Sequence, residues 1–449
     1  MLLAESEARA ICERVLAYIK AGEAAVGVSS NDYSHLRFAA NSFATSGRRE
    51  NIAVSISITV DKKTGHASAN DLDESSLNAA VQEAADLARI APADREYMPP
   101  LGPQNYKPTG GYIEATANIS LPDRARSIND AIVACEKANV IGAGFHHASG
   151  TAVASLNKAG NFHYSRSSLV SLSMTARTPD GGSSGYFHRN HFDVAKLDTA
   201  RIARESIQKA LTSREPRTLD AGVYPAILEP QAAADLLSGL AFNFDARNAD
   251  EGRSAFSAPG GKTRLGEKIF DERLSLYSDP WHPEVPGSSA SPSELPAEKI
   301  FLVRNGTLEN LSYSRYWAAQ KGKEPSRGPV NSILESSQRP ATVDEMIKAT
   351  KRGLLLSRFW YIRSVDPRTL LSTGLTRDGV WMIENGRIQY PVRNFRFNQS
   401  VLQLLAPGNI EMIGAAERVG SSESQGSGAA LIPALMVKQF HFTSQSEAV

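Results

Sequence analysis

At 449 residues the chain is long enough for about three domain-sized units, or two large ones. Lys and Arg total 49 against 48 Asp and Glu, a net charge of +1, so there is no global field to attract nucleic-acid phosphates. With 41% hydrophobic and 22% charged residues the composition is globular rather than disordered or fibrous. Two cysteines, Cys12 and Cys135, can build neither a disulfide framework nor a cysteine-rich metal cluster.

Near the N-terminus Leu3, Ala8, Ile11, Cys12, Val15, Leu16 and Ile19 recur at helical spacing, which predicts an amphipathic helix buried on one face. Glu5, Glu7, Arg9, Glu13 and Arg14 interrupt it, so it lacks the apolar core of a signal peptide. No run approaches the roughly 18 apolar residues of a membrane span. A cytoplasmic location is the expectation, with no membrane and no nucleic acid among the partners.

Asn51–Val60 alternates Ile52, Val54, Ile56, Ile58 and Val60 with Ser55, Ser57 and Thr59, the period of a half-buried strand. A turn at Lys62–Gly65 should return it as His66–Ala69. Asp71 stands three residues before Glu74, a capping-box spacing that predicts a helix to about Ile90. Pro92, Pro99, Pro100, Pro103 and Pro108 make the next stretch an extended connection. Pro122 opens a second helix to about Lys137. Ala152–Leu156, Asn161–Ser165 and Ser168–Arg177 read as a strand meander, and Asp198 caps a helix through about Leu211.

Arg214–Gly222 is read as a boundary. Beyond it come a strand at Tyr224–Leu228, a helix at Pro230–Phe242, a proline-rich irregular loop at 280–298 and hairpins at Asn305–Gly306 and Asn385–Gly386. Gly420–Gly428 reads as a flexible surface loop before a last strand near Ala434–Phe442. The fold class expected is α+β, with an N-terminal half of antiparallel strands and long helices. The C-terminal half should be a largely antiparallel, hairpin-rich sheet domain. The expected modules are 1–110, 111–220 (packed on the first) and 221–449.

Three motifs suggest chemistry. Gly181–Gly185 (GGSSG) matches a nucleophile elbow around Ser183, but Asp180-Gly181-Gly182 between two strands is better read as a hairpin turn. Gly260–Thr263 (GGKT) ends like a P-loop, but Phe256 replaces the first glycine and leaves the amide cradle incomplete. His146-His147 and His188-x-x-His191 fall in turn or strand segments without a cysteine or carboxylate cluster, so structural roles suit them better than metal ligation. No HExxH or HExxxH occurs.

The succession Gly65-His66-Ala67-Ser68-Ala69-Asn70-Asp71-Leu72, then Ser165–Ser173 and Arg201–Leu211, then Gly222–Leu228, then Ile383-Glu384-Asn385-Gly386-Arg387-Ile388 with Pro391-Val392 resembles the TldD/PmbA (TldE) family of metalloprotease-related proteins. The resemblance covers nearly the whole chain. In that family, catalytic subunits carry HExxxH on the helix after the Gly222–Leu228 strand and a zinc-binding cysteine before a V-D-P-like segment. Here Ser238 and Asn243 fall at the two histidine positions, Gly239 at the glutamate and Trp360 at the cysteine, shortly before Val365-Asp366-Pro367. Hydroxyl and amide oxygens bind zinc poorly beside imidazole and thiolate, and a glycine cannot accept a proton.

The resemblance therefore implies a TldE/PmbA-like subunit without catalytic residues, metal or cofactor of its own. Zinc would sit in a TldD-like catalytic partner, as a heterodimer, or the chain would pair with itself as a homodimer; the substrate would be a peptide or unfolded polypeptide. Tyr313, Tyr316, Trp317, Phe359, Trp360, Tyr361 and Arg363 are candidate contacts for peptide or partner, with core packing as the alternative for each. The competing readings are a hydrolase with a rearranged site around Ser183 or the histidine pairs, and a homodimeric peptide-binding scaffold.

Overall fold

The computed structural model describes residues 2–238, 240–420 and 429–446, without the side chains of Ala241 and Phe242. The 421–428 part of the expected surface loop lies outside them. The fold is α+β, as the patterning predicts.

The first half is built as a doubled motif. Helix α1 (Glu5–Tyr18), strands β1 (Glu23–Ala39), β2 (Ser42–Val60) and β3 (Lys63–Ala69), and helix α2 (Glu74–Ile90) make one unit. After a single turn α3 (Glu114–Ala117), the same order recurs as helix α4 (Leu121–Lys137), strands β4 (Ile141–Asn157), β5 (Phe162–Arg177) and β6 (Ser184–His191), and helix α5 (Thr199–Thr212). The six strands form one antiparallel sheet in the order β3-β2-β1-β4-β5-β6, so the two units meet across β1 and β4. Each third strand carries a glycine that admits its helix. A Cβ on Gly65 would meet the backbone oxygen of Ala84 at 2.0 Å, and one on Gly185 that of Ser206 at 2.3 Å.

The long helices share one face of this sheet. Val26, Val28, Val54, Ile56 and Ile58 pack against Ala8, Cys12, Val15, Leu77 and Ala84; Leu36, Phe38, Leu172 and Met174 pack against Ile128, Ile132, Ile202 and Ile207. Helix α2 is capped by Asp73, whose carboxylate accepts from Ser76 N–H at 2.9 Å, rather than by Asp71. The caps of α4 and α5 are Ser120 and Asp198. The strands expected at Asn161–Ser165 and Ser168–Arg177 merge into one, β5, which begins at Phe162.

In the second half β7 (Gly222–Leu228) runs parallel to Arg352–Asp366 and antiparallel to Ala430–Gln445. Arg352–Asp366 pairs with Leu371–Glu384, which pairs with Phe395–Ser400, which returns to Ala430–Gln445. This ring of pairings is closed, so its five strands have no free edge along the ring. Phenylalanines concentrate in this region: Phe359 lies 4.6 Å from Phe397 and 5.4 Å from Phe440, centroid to centroid, and all three are fully buried. Both Asn-Gly turns form as read, with positive φ at Asn305, Gly306, Asn385 and Gly386. The 280–298 stretch contains no helix and no strand beyond an isolated bridge between Ala290 and Pro296.

The two halves meet through polar side chains. Arg189 and Arg201 converge on Glu417 at 2.9 and 3.2 Å, and Ser184 donates to Asp378 at 2.6 Å. Lys209 reaches Glu229 at 2.5 Å and Ser357 at 2.6 Å.

Candidate functional site

Helix α6 (Pro230–Leu237) follows β7 directly. It has Pro230 in its first turn, where a missing N–H costs nothing and the fixed φ suits a helix. It ends at Leu237 and gives way to a 3-10 segment at Leu240–Phe244, so the expected single helix to Phe242 is two pieces. Ser238 closes the first piece by donating its hydroxyl to Asp235 O at 2.8 Å.

A cavity of about 240 Å³ opens at this break. Asp235, Leu236, Ser238, Leu240 and Asn243 line one side, and Ile362, Ser364, Leu370, Ser372 and Val401 the other. Ser238 and Asn243, the two positions picked from the sequence, thus share one pocket. Gly239 lies outside the described residues.

Trp360 is not among the residues lining that cavity; those contributed by its strand are Ile362 and Ser364. The strand carries a bulge: Trp360 pairs with Leu375 but Arg363 pairs with Thr373, so it holds one more residue than its partner between these pairs. Tyr361 absorbs the extra length at φ +58°, a left-handed conformation rare for a bulky side chain. Beyond the bulge Ile362 and Ser364 face the cavity. Trp360 sits near Arg358 and Arg377, whose guanidinium carbons are 5.1 and 5.4 Å from its ring centroid.

Phe359 is wholly buried in the aromatic cluster, and Tyr313 is also buried, its hydroxyl accepting from Lys323 at 2.6 Å. In this chain both are core residues and present no surface to a peptide. Tyr316 and Trp317 are half-buried, and Trp317 donates to Asp250 at 2.7 Å. Tyr361 and Arg363 are exposed and stacked, the guanidinium carbon 4.9 Å from the ring.

Sequence reading missed Asp235, Ile362, Ser364 and Ser372. Asp235 could have been found as the single charged residue of helix α6; Ile362 and Ser364 depend on the bulge, and Ser372 stands opposite Ser364 on the partner strand. Asp235 Oδ1 accepts from Gln231 Nε2 at 2.9 Å and Oδ2 accepts from the Phe359 N–H at 3.1 Å. The pocket's carboxylate is therefore engaged in tying helix to strand.

The remaining donor atoms facing the cavity belong to Ser238, Asn243, Ser364 and Ser372. Zinc takes imidazole, thiolate and carboxylate in tetrahedral sets, and these hydroxyls and this amide do not fit it. Among the described residues no group of three or more His, Cys, Asp or Glu is placed to hold a metal ion.

The other motifs resolve into ordinary structure. Ser183 is buried in the β5–β6 turn and donates to Ala210 O at 2.7 Å, so its proton is committed to a backbone carbonyl rather than to a histidine. The GGKT segment is the tip of a two-stranded ribbon between Ser257–Ala258 and Lys262–Thr263. His188 is buried with neither ring nitrogen hydrogen-bonded, and His191 pairs with Glu284 at 3.4 Å. His147 meets the Ser171 hydroxyl at 2.8 Å.

Comparison with known proteins accounts for this architecture. The PmbA/TldA metallopeptidase C-terminal domain matches residues 221–444, and PmbA/TldA metallopeptidase domain 1 matches residues 24–88. The chain belongs to the PmbA/TldD family. A metalloprotease of Methanothermobacter thermautotrophicus is 23% identical over 286 residues, 59% of this chain and 60% of that protein. The match therefore spans less than two thirds of the relative.

Two solved structures share the fold. TldE of Thermococcus kodakarensis superimposes with a TM-score of 0.83 at 18% identity, covering 97% of this chain and 99% of that one. A Thermotoga maritima protein described as a modulator of a DNA gyrase gives 0.83 and 18%, covering 97% and 100%. At that identity the likeness is one of fold. No helix among the described residues is long and apolar enough to cross a membrane.

Proposed function

We propose that this member of the PmbA/TldD metallopeptidase family is a non-catalytic, TldE-like subunit. In this reading it works beside a zinc-bearing, HExxxH-carrying chain of the same family on peptides or unfolded polypeptides. The observation that carries it is the donor set of the α6 cavity: Ser238, Asn243, Ser364 and Ser372, with Asp235 bound to a backbone N–H and a glutamine. Hydroxyl and amide oxygens are poor zinc ligands, and the single carboxylate is already engaged by a backbone N–H and a glutamine, so this lining is ill suited to activating a zinc-bound water. The residue at the general-base position, Gly239, has no side chain to take a proton.

What such a subunit retains is shape. The cavity of about 240 Å³ mixes hydroxyls with Leu236, Leu240, Ile362 and Val401, a lining suited to a short apolar side chain with hydrogen bonds around it. The test is reconstitution with an HExxxH-bearing family member from the same cell. The expected result is a stable complex that cleaves an unstructured peptide faster than the partner alone. Absence of a complex and an unchanged cleavage rate would refute the subunit role.

A further inference from the structure

A second crevice, of about 480 Å³, lies in the first half of the chain, where the N-terminal end of α4 meets β1 and β2. Asp32, Ser34, His35, Ser46, Gly47 and Arg48 line the sheet side, and residues 117–121 with Arg124 line the helix side. Arg124 stands one turn before Ile128 on the face that α4 packs against the sheet, and only 5% of its surface is exposed. Its Nε and Nη1 are buried without a hydrogen-bond partner, and no ion pair to it is present among the described residues. A buried guanidinium left this way is costly. Burial lowers its pKa and the nearby Arg48 lowers it further, though a guanidinium stays charged at neutral pH.

The crevice has one buried carboxylate, and it is taken. Asp32 accepts from Arg48 through both oxygens, Oδ1 from Nε at 3.0 Å and Oδ2 from Nη2 at 2.5 Å. Arg48 also meets Glu50 at 2.7 Å. Arg124 is thus the lining cation without a counter-charge. Ser46 adds a hydroxyl to the lining; those of Ser34 and Ser120 already donate to Ala148 O and to Asp123, and Asp123 offsets the positive end of α4, so the charge of Arg124 is the main attraction.

We propose that this crevice is an oxyanion-binding site in which Arg124 pairs with a carboxylate or phosphate group. The fork of a guanidinium suits either group. The oxyanion can be carried by a free small molecule or by a peptide. The site is separate from the α6 cavity, with no lining residue in common, so it stands or falls apart from the subunit role.

Calorimetric titration at low ionic strength with inorganic phosphate, a peptide with a free C-terminal carboxylate, and the same peptide amidated tests it. Sodium chloride at matched ionic strength is the control. The expected result is saturable binding of phosphate or of the free-carboxylate peptide, with the stronger of the two identifying the source, and none of the amidated form. Arg124→Met should weaken that binding by about tenfold or more and leave the unliganded melting temperature unchanged or higher, because it removes a buried unpaired charge. Ser46→Glu, on the exposed ribbon, should raise that temperature and abolish the phosphate response by supplying the anion internally. The inference is overturned if neither oxyanion saturates the wild type. Unchanged binding in Arg124→Met, or in Ser46→Glu should Arg124→Met fail to fold, overturns it equally.

Discussion

The carboxylate of Asp235, on helix α6 directly after β7, accepts the backbone N–H of Phe359 at 3.1 Å. This bond ties helix α6 to the strand Arg352–Asp366 beside the cavity, and Gln231 holds the other carboxylate oxygen. Asp235→Ala should lower unfolding free energy by about 2–3 kcal/mol, because it strands a buried N–H and a glutamine amide. Asp235→Asn keeps an oxygen for the N–H and should cost less than about 1 kcal/mol. Urea unfolding of both variants reads the difference; equal losses would deny the bond its role.

Arg358 and Asp378 form a buried pair, Nη2 to Oδ2 at 2.5 Å, with side chains 7% and 4% exposed. Asp378 also takes the Ser184 hydroxyl from the other half of the chain. Asp378→Ala leaves a guanidinium uncompensated and should cost about 3–5 kcal/mol. The double variant with Arg358→Met should recover part of that loss. Chemical denaturation of the three proteins gives the coupling, and strict additivity would contradict it.

Acid should weaken the fold before it titrates carboxylates. Burial holds His146 at a pKa of about 3, with the Arg124 charge adding to the effect; it holds His188 at about 3 with help from Arg189, and His147 at about 4 with help from His35. An unfolded histidine titrates near about 6.5, so protons favour the unfolded chain. The stabilisation is complete above that value and is lost as pH falls towards 4. Each ring contributes a limiting slope of about 1.4 kcal/mol per pH unit. Stability measured from pH 7.5 to 5 should decline, less steeply in His188→Gln; a flat profile in the wild type contradicts this.

Tyr361 at φ +58° is strained in a way asparagine tolerates better. Tyr361→Asn should therefore stabilise by up to about 1 kcal/mol, whereas Tyr361→Val should destabilise by about 1–2 kcal/mol. Thermal melts of the pair test whether the bulge is imposed by its surroundings.

Much of the architecture could be read from residue periodicity, and the exceptions have physical causes. Val54, Ile56 and Ile58 alternate cleanly because that stretch has one buried face. β1 escaped because Ser29, Ser30, Asn31, Asp32, Ser34 and His35 mask the Val26–Val28 and Leu36–Phe38 alternation. Arg352–Asp366 and most of Leu371–Glu384 escaped for the opposite reason: one end is buried on both faces, which leaves no alternation to detect. The pocket was half legible. Ser238 and Asn243 follow from motif spacing, but Ile362 and Ser364 reach the cavity only because one extra residue at Tyr361 resets the strand's faces, and a motif count cannot see a bulge.

The most direct measurement is zinc content by inductively coupled plasma mass spectrometry, on the chain alone after incubation with excess zinc and desalting. The wild type should retain well under one zinc per chain. One tightly held zinc per chain, lost on substitution of Ser238 and Asn243 by alanine, would contradict it.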